Sequence, residues 1–159
     1  MMSVRQMEKV SRQFRGFSLI EVLIALIIMS VGMLGIAGLY VHGMQAGRTS
    51  TFRHHAVMLA GDVADRIRAN PLGRADYEGA GANNNCVGGG INCTAAEMAA
   101  NDVDLWLQQA AATLPDGDID VTYAPGVPAQ YTVTVSWSEP GQDVPPPQYA
   151  ISFPIFEML

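Results

Sequence analysis

The residues best placed to do chemistry meet at one junction. Gly16, a small residue, is followed by the bulky apolar Phe17, and Glu21 is the fifth residue after that junction. Behind it lies a basic leader, and ahead of it Val22–Val41 carries no charge. A lone carboxylate at the head of such a run is costly to bury, so it calls for a partner. The plainer alternative is an interfacial acid solvated by lipid headgroups. A second pair is Cys86 and Cys93, in Cys-Val-Gly-Gly-Gly-Ile-Asn-Cys. In an exported domain a short glycine-rich loop is the expected setting for a disulfide. Half of a metal site is the rival reading. It lacks a second cysteine pair, and His42, His54 and His55 lie far upstream on a predicted helix. A disulfide is expected, and no metal.

Other constellations weigh less. Adjacent His54 and His55 point to different faces of a helix and make a poor bidentate site. Asp116, Asp118 and Asp120 with Gly117 share the residue types of a calcium loop but lack its closing Glu. They fit a turn running into an edge strand. Asn92-Cys93-Thr94 matches a glycan-acceptor triplet, a pattern common by chance. There is no Ser/His/Asp or Cys/His arrangement, no phosphate-binding glycine loop and no paired carboxylates in a plausible cleft. No catalytic residue, cofactor or enzyme activity is expected, and the acids of the C-terminal part read mostly as solvent-facing.

Three kinds of element must carry these residues. Twenty residues of helix at 22–41 span about 30 Å, the thickness of a hydrocarbon core. The run is longer than the apolar core of a secretory signal, and no good cleavage site follows it. Beyond it Phe52, Ala56, Leu59 or Ala60, Val63 and Ile67 recur every three or four residues, the mark of an amphipathic helix. Asp62 and Arg66 stand i,i+4 in the favourable acid-first order. Asn70-Pro71 is a stop. The pattern predicts one helix from Phe17 to Asn70, with a kink possible near Gly43, Gly47 and Thr49–Thr51. Gly32, Gly35 and Gly38 fit either close helix packing or the ordinary glycine content of membrane helices.

Residues 71–93 read as a surface loop. Thr94 and Glu97 form a capping box for a second helix reaching about Leu114. Its apolar face is Val103, Trp106, Leu107 and Ala110. Alternation predicts strands over Asp118–Tyr123, Gln130–Trp137 and Tyr149–Phe153, with a proline-rich loop at Gly141–Pro147 and a hydrophobic C-terminus from Ile155. The fold class expected is α+β: a long N-terminal helix packed on a small antiparallel sheet.

Charge divides the chain. Residues 1–16 hold Arg5, Lys9, Arg12 and Arg15 against Glu8, and their loss would move the net charge from −6 to −9. A basic N-terminus favours the cytoplasmic side of a membrane. The acidic remainder argues against non-specific nucleic-acid binding.

The leader, Gly16-Phe17-Ser18-Leu19-Ile20-Glu21 and the apolar run resemble the class III signal of type IV pilins. Ser30–Leu39 and Leu59–Pro71 look like the minor pilins of the V type, the pilus modification proteins. The likeness is strong over 14–71 and loose beyond. It implies a pilin-like fold with three parts: a cleaved leader at 1–16, a membrane-spanning and filament-core helix at 17–41, and a periplasmic head at 42–159. It also implies cutting between Gly16 and Phe17 by prepilin peptidase, methylation of the new amine of Phe17, and a role for Glu21 in pairing with a neighbour's amine during assembly. The implied life history is a single pass of the inner membrane, N-terminus cytoplasmic, then a surface pilus. The implied role is structural: priming assembly with other minor pilins and the major pilin, at or near the tip. A minor pseudopilin of a type II secretion system is the nearest alternative. A periplasmic binding protein with an uncleaved anchor is the remaining one.

Overall fold

The computed structural model describes residues 16–88, 91–140 and 145–155. The basic leader through Arg15, part of the expected loop at 141–144 and the C-terminal residues 156–159 lie outside the described residues. The first element is helix α1, Leu19–Ala69. Its helical assignment runs unbroken through Gly43, Gly47 and Thr49–Thr51. Two glycines cost a helix roughly 1 kcal/mol each, too little to break a ladder of this length. Thr51 also donates its hydroxyl back to the Gly47 carbonyl at 3.0 Å.

A short 3-10 helix, Arg74–Glu78, follows. It was not expected in the 71–93 loop, because five residues hold too few periods to show a pattern. Helix α2, Ala95–Thr113, starts as its sequence dictates. Thr94 Oγ1 accepts from the Glu97 N–H at 3.2 Å, and the Glu97 carboxylate accepts from the Thr94 N–H at 2.8 Å. Strands β1 (Asp118–Ala124), β2 (Ala129–Ser136) and β3 (Gln148–Ile155) form an antiparallel sheet in the order β1-β2-β3. Val133 sits opposite Val121 on one side and Ile151 on the other. Pro154 lies on β3, an edge strand, where a missing N–H is tolerated.

The chain divides into two compact units, one ending at Met44 and the other starting at Gln45. In the first, the apolar side chains from Phe17 to Met44 are exposed to the surroundings of the protein. In the second, α1 offers Ala56, Leu59, Ala60, Val63, Ala64 and Ile67 to a single core. From α2 come Ala99, Val103, Trp106 and Ala110, and from the sheet Val121, Tyr131, Val133, Val135 and Phe153. The amphipathic half of the long helix thus packs on a small antiparallel sheet, a type IV pilin-like α+β fold. Tyr131 links the strands: its ring lies 4.9 Å from that of Tyr123 and 5.8 Å from that of Phe153. Arg68, near the end of α1, sits 4.6 Å above the Phe153 ring. Such a cation–π contact contributes about 0.5–1 kcal/mol at an exposed site.

Two glycines are required by close approach. A Cβ at Gly81 would collide with the backbone of Asp104 on α2, and one at Gly117 with the Ala110 carbonyl. Gly117 follows Asp116, whose φ of 47° turns the chain out of α2 and into β1.

Candidate functional site

Gly16 and Phe17 precede the helix outside regular secondary structure, and both are exposed. Helix formation begins one residue later, where the Ser18 carbonyl accepts from the Glu21 and Val22 N–H groups at 3.1 and 3.3 Å. Glu21 therefore lies in the first turn, where a carboxylate is favoured by the positive end of the helix. It is exposed and has no ion pair among the described residues. No part of the apolar window that follows is buried in the protein. Lipid or other helices must cover such a surface.

The second unit carries a polar cluster that sequence reasoning missed. Arg66 joins Asp62 at 3.1 Å and Asp102 at 3.0 Å. Asp102 also accepts from the Tyr77 hydroxyl at 3.5 Å, and Asn70 donates to Tyr77 at 3.1 Å and to the Ala95 carbonyl at 2.9 Å. Three elements, α1, the 3-10 helix and α2, are tied at this point. Burial raises the Asp102 carboxyl above the usual range, and the facing Arg66 guanidinium offsets this only in part. Burial also pushes the Tyr77 phenol up to about 12, against the Asn70 hydrogen bond. Burial opposes the charge on Arg66, yet the Asp62 and Asp102 carboxylates outweigh it and raise its pKa.

Glu139 is the other correction to solvent-facing acids. It is 5% exposed, and its two oxygens are taken by the Trp137 indole N–H and the Thr49 hydroxyl, both at 2.7 Å. The Thr49 hydrogen bond fastens the segment after β2 to α1. Signals for both acids were present. Asp102 stands three residues after Ala99 and four before Trp106, on the buried face of α2. Glu139 continues the inward alternation of Tyr131, Val133, Val135 and Trp137.

Cys86 and Cys93 are bonded, with Cα atoms 5.8 Å apart, so the loop is closed as expected. Asn101, buried on α2, accepts from the Asn84 and Cys86 N–H groups at 3.1 and 3.3 Å and holds the loop's entry. The His54 and His55 rings stand 6.3 Å apart and tilted.

Residues 38–104 match the Tt1218-like family, type IV pilin Tt1218, and residues 11–37 match the prokaryotic N-terminal methylation motif. No curated protein and no solved structure matches the chain.

Proposed function

We propose, for a chain that carries a prepilin leader motif joined to a type IV pilin domain, the role of a minor pilin of the V type. Pilins are structural subunits, and the work of this one is packing and contact rather than catalysis. Prepilin peptidase cuts between Gly16 and Phe17 and methylates the new amine. The subunit waits in the inner membrane through 17–41, with residues 42–159 as a periplasmic head. It then enters a priming complex with other minor pilins and the major pilin, at or near the pilus tip. The observation that supports this most is continuity: the leader motif ends at residue 37 and the pilin domain begins at 38.

The chemistry is a paired charge. Cleavage leaves a cationic amine on Phe17, at the end of an apolar helix. Moving that helix from lipid into a bundle of similar helices gains little hydrophobic energy, so a polar contact must set the register. Glu21 of one subunit neutralises the amine of the next. Both charges are costly alone in an apolar surround and tolerable together.

Mass spectrometry of the mature N-terminus tests the processing. A chain beginning at methylated Phe17 is expected, and an intact leader would refute it. Glu21→Ala is expected to be processed normally yet to enter sheared pili roughly tenfold less, the factor that corresponds to about 1.4 kcal/mol. Recovery of the variant with secretion proteins instead of pilus proteins would assign the chain to a pseudopilus.

A further inference from the structure

The cations beyond the leader are confined to one stretch. They are Arg48, Arg53, Arg66, Arg68 and Arg74, whereas residues 75–159 hold eleven acids and no Lys or Arg. Within the stretch they divide again. Arg66 is engaged by Asp62 and Asp102, and Arg68 by Asp65 at 2.9 Å. Arg48 and Arg53 are exposed on α1 and make no ion pair among the described residues. Glu139 is hydrogen-bonded to Thr49, which lies between them in sequence. Its oxygens are already occupied by Thr49 and Trp137. Among the described residues, Arg48 and Arg53 are thus left without an ion-pair partner in an otherwise acidic unit.

Their place in the chain says what could compensate it. Arg48 is seven residues beyond Val41, the last of the uncharged apolar run, and Arg53 is twelve. That is about 10 and 18 Å of helical rise. Only uncharged or weakly basic residues intervene before Arg48, and Thr49, Ser50 and Thr51 follow it. A bilayer with a hydrocarbon core of about 30 Å adds several ångströms of headgroup on each side. Arg48, on a long flexible stem that reaches back toward the membrane, then falls at the phosphate layer, and Arg53 lies beyond it, reached only by the screened field of the surface.

We infer that Arg48, with weaker help from Arg53, pairs with anionic phospholipid headgroups while the subunit is held in the membrane. The inference rests on the membrane placement of residues 17–41 proposed above. Guanidinium suits a phosphate because its planar fork donates two hydrogen bonds. Attraction to an anionic surface falls off within a Debye length, about 8 Å at physiological salt, which ranks Arg48 above Arg53. The contact would be surrendered on extraction into a filament, so lipid composition would bear on how readily the subunit leaves the membrane.

The test uses the full chain in nanodiscs of phosphatidylcholine alone or mixed with phosphatidylglycerol. Phenylglyoxal labelling of each arginine is followed by mass spectrometry. Labelling of Arg48 is expected to slow roughly fivefold in the anionic discs and that of Arg53 about twofold, with both effects erased by high salt. Arg68, held by Asp65, serves as the unchanged control. Equal rates in both discs would overturn the inference and leave the membrane placement standing. So would slowing that survives high salt, or slowing that appears only when another pilin is co-incorporated. A chain that does not enter the discs at all would refute the placement and the inference together.

Discussion

The two compact units handle apolar surface in opposite ways. The unit ending at Met44 has long apolar side chains and buries none of those from Phe17 onward. The unit starting at Gln45 folds Trp106, Trp137, Tyr77, Tyr131 and Val133 into a core of its own. The same helix serves both, so helix propensity does not distinguish them. What differs is the width of the apolar stripe. An all-round apolar helix needs an external solvent or partner, whereas a one-sided stripe finds its cover within the chain. Polar groups follow suit. Glu21 has no ion pair among the described residues, while Asp102 and Glu139 have their partners within the chain.

Substitutions in the full chain should separate the units sharply, read as urea unfolding of the head in detergent. Trp106→Ala removes a side chain 1% exposed and stacked 5.7 Å from Tyr77, and should cost about 3–5 kcal/mol. Leu34→Ala, at an exposed site of the first unit, should leave the same transition within about 0.5 kcal/mol. A comparable loss at both positions would break the contrast.

Replacing Cys86 and Cys93 with serine should lower head stability by about 2.5 kcal/mol, from the chain entropy of so short a loop. Arg66→Ala should cost about 2 kcal/mol by stranding the buried Asp102. This is less than for a fully buried pair, because the Arg66 side chain is 41% exposed. An unchanged transition would mean that Asp102 is satisfied by Tyr77 alone.

A further effect is a pH slope. The Tyr77 phenol has its folded pKa raised to about 12 against an ordinary value of 10. Its contribution is full below pH 10 and is lost as pH rises from 10 to 12, since the folded state resists ionisation. Thermal melts across that window should fall with pH, and Tyr77→Phe should flatten part of the fall. Asp102 has the same sign at the acid end. Its raised pKa means that the folded state holds the proton longer, so its ionisation lowers stability as pH rises above the ordinary carboxylate range.

Much of the architecture was readable from short-range pattern. The capping box at Thr94 and Glu97, the stop at Asn70-Pro71 and the alternation of Tyr131, Val133 and Val135 each involve residues within a few positions of one another. The 3-10 helix with its buried Tyr77 was not readable, since its burial depends on α2 arriving from elsewhere. The cysteine pair was legible because its ends are close in sequence. The pairings of the buried acids were not, because Arg66 and Asp102 are 36 residues apart and Thr49 and Glu139 are 90 apart.

By itself the sequence determined the junction at Gly16-Phe17, the acid at Glu21, the uncharged run and the strand alternation. These are statements about charge, side-chain size and period, which the chain carries before it folds. Only the tertiary structure decided which groups the buried acids pair with and which arginines are left over. Those outcomes depend on distances between elements remote in sequence, and desolvation and pairing are set by such distances.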